Sequence, residues 1–362
     1  MSNEYLWYIA NEVRPGHRGD DTVGDHNSLE TLTRQALALE ENGWTGALIG
    51  TGWGRPDTFT VATALAAKTT SFEPLVAVRP GYWRPAHFAS AASTLDHLTG
   101  GRLRVNIVSG KDDLGAYGDA DAEQSDRYAR TGEFIELVRR LWTEEDVTYR
   151  GEHFHVEHST VVPRIEQRGE RRHPLLYFGG ASPAAEGVAA THADVQLFWG
   201  ETLDGVRERI QRLRVLSDEV GRELPALQFG LRITTFVRDT TDLAWRDAET
   251  RVAQMAAQHS DNGRGEHGSL PVNPHRRAAV GQQRLLDLAE RGDVLDDNLY
   301  TAPGKFGGGG AGTTWLVGSA PDVAKSLRKY QDLGITHFVL SDTPYLGEIE
   351  RQGNQLLPLL RG

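Results

Sequence analysis

The chain has 362 residues, 39% of them apolar, with a formal net charge of −11 and no cysteine. That length suits one large barrel or two ordinary domains with a sizeable core, and an acidic balance without a basic run argues against a nucleic-acid footprint, which needs clustered Lys and Arg. Disulfides, thiolate nucleophiles and Cys-ligated metal centres are excluded; no apolar run approaches the ~20 residues that span a bilayer, and the opening Met1-Ser2-Asn3-Glu4 lacks the basic start and apolar stretch of a signal peptide, so a cytoplasmic location is expected.

Short apolar runs then alternate with amphipathic stretches. Leu6–Asn11 reads as a first strand and Ser28–Asn42 as a helix, with Ser28 as N-cap and Gly43 as C-cap. Gly46–Thr51 and Pro74–Pro80 are strands, followed by helices at Asp57–Thr69 and Pro85–Leu98. Arg102–Gly110 is a fourth strand and Arg127–Trp142 the next helix. Strands Leu175–Gly179, Val195–Trp199 and Leu227–Arg238 follow, each with its helix: Pro183–Thr191, Leu203–Val220 and Asp242–His259. Helix Asp322–Leu333, strand His337–Ser341 and helix Glu348–Leu360 close the series. Apolar strands alternating with helices predict a parallel sheet covered by helices. Eight such steps over this length favour an α/β architecture closed as a (β/α)8 TIM barrel, with an open doubly wound sheet as the alternative.

The chain, 1–362, reads as a single barrel domain. Within it Asp261–Gly312 is long, polar and glycine-rich and ends in Gly307-Gly308-Gly309-Gly310. It is expected to be an insertion before the last strand that ends in a mobile lid, a plain disordered loop being the alternative. Val147–Val162 is expected to form a small extra hairpin beside the fifth strand.

In such a barrel the site lies at the carboxyl ends of the strands. Those ends supply Asn11 and Glu12, Thr51 to Arg55, Arg79, Asn106 to Lys111, Gly179 to Ser182, Trp199 to Glu201, Arg232 with Thr234, and Ser341 to Thr343. Gly179-Gly180-Ala181-Ser182 before Pro183 couples a glycine turn to a helix start, where free N–H groups and the helix dipole favour a phosphate. A tight strand-to-helix turn would use the same glycines. Arg79 and Arg232 interrupt apolar strands. Each is expected either to bind an anionic group or to form an internal ion pair with a residue such as Glu12 or Asp342. His153, His155 and His158 do not share one face of a strand, and Asp112-Asp113 reads as an acidic loop, so no metal is expected. There is no nucleophile elbow, no P-loop and no G-x-G-x-x-G after a strand.

Ten fragments in order along the chain resemble the bacterial luciferase-like flavin monooxygenases, specifically the alkanesulfonate monooxygenase branch. They are Leu48–Gly52, Leu75–Pro80, Ser93–Arg102, Val105–Gly110, Asp126–Tyr128, Tyr177–Ser182, Phe198–Gly200, Phe229–Arg232, Gly309–Thr313 and Ile335–Ser341. The resemblance implies a TIM barrel with an insertion before the last strand. It also implies FMN used in reduced form, delivered by a separate NAD(P)H:flavin reductase, with O2 as co-substrate and a C4a-peroxyflavin as the oxygenating species. The flavin phosphate would lie at Gly180, Ala181 and Ser182, helped by Arg127 and Tyr128, and the isoalloxazine near Thr51, Ala77 and Asn106. A non-proline cis peptide is implied around Ala77-Val78, and a homodimer or homotetramer as the assembly.

The departures from that pattern fall on the substrate side. Arg55 stands where the desulfonating enzymes have a cysteine, Thr234 and Glu12 where they have histidines, and Thr343 where they have a tyrosine. Their lid arginine falls near Gly308, with Lys305 as a substitute; only the arginine matching Arg232 is kept. Arg232 and Glu12 are the expected catalytic residues, Glu12 acting as a base if burial raises its pKa or otherwise as an ion-pair partner. Arg55, Arg79, Trp199 and Thr234 are the expected substrate contacts, and Trp53, Trp83, Phe198 and Trp199 the expected shield against water. The reading is a two-component FMNH2-dependent monooxygenase acting on a small anionic, organosulfur-like substrate. A deazaflavin-dependent oxidoreductase and a non-catalytic flavin-binding paralogue are the alternatives.

Overall fold

A computed structural model of the chain describes residues 3–12, 27–110, 114–119, 124–167, 169, 171–261, 280–306 and 313–361. In chain order the first strands are β1 (Glu4–Ile9), β2 (Gly46–Ile49), β3 (Glu73–Val78) and β4 (Arg104–Ile107). A separate antiparallel hairpin, β5 (Val147–Arg150) and β6 (His155–Ser159), comes next. Then follow β7 (Leu175–Gly179), β8 (Val195–Trp199), β9 (Gln228–Val237), the short β10 (Val294–Leu295) and β11 (Leu299–Tyr300), β12 (Trp315–Gly318) and β13 (Ile335–Ser341). Eight of these pair in parallel in the order β1-β2-β3-β4-β7-β8-β9-β13, and β13 returns to β1. The barrel is therefore closed, as the alternation of strands and helices predicts.

Helices α1 (Leu29–Glu41), α2 (Thr58–Ala66), α3 (Pro85–Leu98), α4 (Gln124–Thr143), α5 (Pro183–His192), α6 (Leu203–Glu219) and α7 (Thr241–Asp261) follow the successive barrel strands. After them come α8 (Val280–Arg291), α9 (Ala320–Asp332), α10 (Tyr345–Gln355) and α11 (Leu357–Arg361). Ser28, Asp57, Ser182, Thr202 and Ser319 each accept a hydrogen bond from a backbone N–H of the first helical turn, filling valences the helix cannot satisfy itself.

Successive strand residues face opposite sides, so the core splits in two. Trp7, Ile9, Val76, Val105, Leu231 and Ile233 face the helices, while Leu6, Tyr8, Leu75, Ala77, Tyr177, Leu197 and Val339 fill the interior. Near the amino-terminal end of the strands the interior is polar. Arg104 Nε donates to Glu73 (2.6 Å), Nη2 to Glu4 (3.2 Å) and Nη1 to the Tyr177 hydroxyl (2.8 Å). That hydroxyl also meets His337 Nδ1 at 2.9 Å, and His337 Nε2 meets Gln228 at 2.9 Å. Burial first, and Arg104 second, pull His337 down to about 3, so it is neutral at every ordinary pH.

Between α7 and the last barrel strand lie α8, β10, β11, a short 3-10 turn (Ala302–Phe306), β12 and α9. β12 pairs in parallel with the carboxyl half of β9, Trp315 opposite Thr234 and Val317 opposite Phe236. β9 is ten residues long because it serves two sheets: its first half closes the barrel and its second half carries this extension. Phe236, Trp315 and Tyr300 form its apolar centre. The tetraglycine run Gly307–Gly310, with its expected lid, lies outside the described residues, as do Lys111 and Asp112-Asp113.

Candidate active site

Arg232 faces the barrel interior, as the alternation of Leu231 and Ile233 toward the helices requires. Its guanidinium lies over the face of Tyr8, 3.9 Å from the ring centroid. The Tyr8 hydroxyl accepts from Arg55 Nη1 at 3.3 Å, and the same Nη1 donates to the Ala10 carbonyl at 2.9 Å. Arg55 Nη2 pairs with Glu12 at 2.6 Å. Glu12 is thus paired with Arg55, and Arg232 lies over an aromatic face. Glu12 reaches Arg55 because Asn11 turns the chain through the left-handed region (φ 53°), a conformation asparagine tolerates better than most residues. Asn11 is fixed there by its side-chain amide, which donates to the Gly50 and Pro56 carbonyls. Burial opposes the charge on Arg55, but Tyr8 and Glu12 outweigh it and raise its pKa, so the guanidinium is permanently charged.

Arg79 belongs to a different group. Its Nη1 donates to the Gly110 carbonyl (2.9 Å). It lines a cavity of about 20 Å³ with Ser109, Asp119, Arg127, Arg130 and Thr131, room for about one water. Arg130 forks onto Asp119 at 2.7 and 2.6 Å. Arg79, Arg127 and Arg130 share this wall with Asp119, and Asp126 also acts on Arg130. The three arginines expected to act on one substrate are therefore divided, Arg55 and Arg232 around Tyr8, Arg79 with Arg127 at the end of β4.

The glycine turn after β7 is built for close approach. A Cβ on Gly180 would stand 2.5 Å from the Ala185 Cβ and 3.8 Å from the Tyr128 hydroxyl, so no side chain fits there and Tyr128 is brought against the turn. The Gly180 carbonyl is drawn away by Gln196 Nε2 (2.9 Å) and Arg209 Nη2 (2.8 Å), the latter anchored by Glu186. Burial pulls Arg209 down to about 10. Ser182 caps α5 through the Ala185 N–H. The turn thus does what a tight strand-to-helix connection needs, and it also places Ala181 and Ser182 at a helix N-terminus of ten residues.

Between these groups the barrel interior is packed with apolar side chains, Leu48, Ala77, Leu197 and Val339. Ala77 and Asn106 are register partners on β3 and β4. The Asn106 Oδ1 is buried with no hydrogen-bond partner among the described residues. A buried acceptor without a donor is costly, and an isoalloxazine ring, flat, largely apolar and edged with N–H donors, would supply the missing donor. Thr51 stands half-buried at the rim. The residues present therefore fit a flavin-type ring.

Other expected contacts are placed otherwise. Trp83 packs on Phe59 and Phe88, and Phe198 stacks on Phe229, both in the helical layer, so neither shields the lumen. Trp199 is opposite Arg232 in the ladder, half-buried beneath the start of α8. The Thr234 hydroxyl is 3.3 Å from that of Thr313 and fully buried. Lys305 is bonded to Asp293 (2.6 Å). The peptide bonds of β3 are trans, the two cis bonds recorded being Val162-Pro163 and Thr343-Pro344. Of the three histidines, His155 and His158 are exposed partners of Glu157 and Asp146; no cluster able to hold a metal occurs among the described residues. Tyr8, Asp119 and Arg130 were not among the expected site residues. Tyr8 shares the inward face with Leu6, which is the signal that points to it.

Beside the mouth, at the ends of β9 and β13, lies a buried charge network around Asp342. Arg238 contacts Asp342 (3.3 Å), Glu348 (3.2 Å) and Asp247 (3.1 Å), and Arg251 bonds the Thr343 hydroxyl and carbonyl at 2.9 Å. Burial, and then Asp342, push Glu348 up to about 7 despite Arg238 and Arg351. A carboxyl whose pKa is higher folded than unfolded binds more protons in the native state, so its contribution to stability falls as pH rises from about 4.5 to about 7. Glu348→Gln is expected to flatten that part of the stability profile relative to wild type, measured by urea unfolding across pH 4–8. Parallel profiles would show that Glu348 ionises normally.

The profile of the luciferase-like monooxygenase family matches residues 4–337, and the chain belongs to that family. Among solved structures, a riboflavin lyase with modified FMN and riboflavin superposes with a TM-score of 0.76 at 18% identity, covering 100% of this chain and 92% of that one. EDTA monooxygenase from Chelativorans sp. BNC1 gives 0.76 at 16% identity, covering 100% and 94%. An F420-dependent secondary alcohol dehydrogenase gives 0.67 at 16%, covering 100% of both chains. At these identities the likeness carries the fold, and the alkanesulfonate branch is not singled out. No helix among the described residues is long and apolar enough to cross a membrane.

Proposed function

We propose that this protein is a monooxygenase that binds reduced FMN, supplied by a separate NAD(P)H:flavin reductase, and oxygenates a small organic anion of the organosulfur kind. The observation that carries this reading is the division of the mouth. One arginine group, Arg79, Arg127 and Arg130 with Asp119, stands at the end of β4; a second, Arg232 over Tyr8 beside the Arg55–Glu12 pair, stands across an apolar floor that holds the Asn106 Oδ1, without a hydrogen-bond partner among the described residues. A flavin phosphate at Ala181 and Ser182, with Arg127 and Tyr128 beside it, leaves the second arginine group for the substrate. The bound reduced flavin supplies the activation of O2. The chain's own groups do the rest: the apolar interior keeps water out, Arg232 holds the anion, and Glu12, paired with Arg55 at 2.6 Å, fixes that guanidinium against Tyr8.

Anaerobic titration tests the cofactor. Reduced FMN is expected to bind more tightly than oxidised FMN and than a reduced deazaflavin such as F420; the reverse order would make the protein a hydride-transfer enzyme on the same barrel. Ser182→Ala is expected to weaken reduced FMN about tenfold or more, a loss of about 1.5–3 kcal/mol for a hydrogen bond to a charged group. Ser182→Thr keeps the cap and the hydroxyl and is expected to restore most of it. Unchanged affinity in Ser182→Ala would move the phosphate away from this turn. Oxygen uptake with reduced FMN and a sulfonate, sulfinate and carboxylate panel then separates an oxygenase from a protein that only binds flavin.

A further inference from the structure

The turns after β2 and β3 share a composition that the reading above does not use. Gly52-Trp53-Gly54-Arg55 is closed by the Arg55 N–H on the Gly52 carbonyl (3.2 Å), with Gly54 in the left-handed region (φ 80°) that a third turn position of this kind demands. Arg79-Pro80-Gly81-Tyr82 is closed in the same way, the Tyr82 N–H on the Arg79 carbonyl (3.2 Å), with proline at the second position. Each turn therefore carries one arginine and one aromatic ring. Tyr117, from the short helical turn Gly115–Tyr117 after β4, joins the two rings. It stacks on Tyr82 with centroids 3.4 Å apart at 19°, and Trp53 meets its edge at 4.7 Å and 69°. All three side chains are half-buried, and none belongs to the apolar core clusters. Asp119, two residues beyond Tyr117, is clamped by Arg130 against Gly81, where a Cβ would stand 2.0 Å from the carboxylate. The aromatic wall is thus pinned at the Tyr82 end by the Arg79 group and ends at Trp53 beside Arg55.

We propose that Trp53, Tyr82 and Tyr117 form a stacking wall for the substrate, and that the substrate is a planar aromatic or heteroaromatic anion whose charged group reaches Arg232 beside the Arg55–Glu12 pair. This rests on the oxygenase reading above, and it narrows the substrate from any small anion to one with a flat ring. A flat ring gains from an aromatic wall what an alkyl chain cannot, because face and edge contacts between π systems add to simple apolar burial. Arg232, over Tyr8 and beside the Arg55–Glu12 pair, gives the anionic group its place. Nothing in this arrangement favours a long flexible chain.

The test uses the full-length protein with FMN bound, and two probes of equal carbon count, 2-naphthalenesulfonate and 1-decanesulfonate, titrated by calorimetry and by tryptophan fluorescence. The naphthyl compound is expected to bind about tenfold or more tightly than the decyl one, the order of one good ring contact. Trp53→Phe is expected to remove most of the fluorescence change while keeping the preference. Tyr117→Leu is expected to erase the preference, Tyr117→Phe to keep it, and FMN affinity to be the same in all variants. Equal or weaker binding of the naphthyl probe, or a preference that survives Tyr117→Leu, overturns the proposal. If Tyr117→Leu weakens FMN as much as the probe, the wall serves the flavin and the substrate assignment falls. Failure of the wild-type protein to bind FMN at all would instead overturn the oxygenase reading, which the preceding titration measures by itself.

Discussion

Arg104→Met is expected to lower the stability of the fold by about 3 kcal/mol, the lower end of the usual cost of breaking a buried ion pair. The lower end applies because the partner side chains of Glu4 and Glu73 keep some contact with water, at 28% and 18% exposure against 5% for Arg104. One guanidinium there serves three acceptors, two carboxylates and the Tyr177 hydroxyl. Methionine fills similar space but leaves both carboxylates inside the barrel without a counter-charge, next to a histidine that burial keeps neutral. In a chain of 362 residues that loss corresponds to a melting point lower by roughly 4 °C. Thermal unfolding of the purified variant checks it, and an unchanged midpoint would mean that the network adds nothing net to the fold. Reduced-FMN affinity is expected to survive, because the network lies at the opposite end of the strands from the mouth.

Arg232→Lys is expected to fold, to bind reduced FMN as wild type does, and to lose turnover by at least about tenfold, a barrier increase of roughly 1.4 kcal/mol. The structure sharpens this expectation. Glu12, one carboxylate that could make Arg232 a structural ion pair, is paired with Arg55 at 2.6 Å. Arg232 lies over the face of Tyr8, 3.9 Å from the ring centroid. Lysine keeps the charge and can still lie over the ring, but it concentrates the charge at a point and cannot offer two parallel N–H donors to an oxyanion. Turnover per folded molecule and unfolding midpoint together decide the role. Lost stability with intact turnover would make Arg232 a structural residue, and a stable variant with near-normal turnover would remove it from the chemistry altogether.

The sequence by itself determined the barrel, because strand and helix periods are local: eight apolar runs, each bounded by glycine, proline or a capping side chain, leave few ways to cover their faces. It also determined that Arg232 points inward, since the neighbours Leu231 and Ile233 need the helical layer. It could not show β12, a four-residue run after a polar stretch whose partner, the far half of β9, is about eighty positions away. Nor could it say which arginine stands with which group. Arg55, Arg79 and Arg232 look alike in strand or loop context, and their division was decided by the closure of the barrel, which brings Tyr8 beside Arg55 and Arg232 and leaves Arg79 with Gly110, Asp119 and Arg127. Tyr8 carried only the signature of a strand interior, and Tyr117 lies in a loop without periodicity. Their chemistry exists only through contacts between segments far apart in the chain, which local propensity does not encode and which packing around a closed sheet imposes.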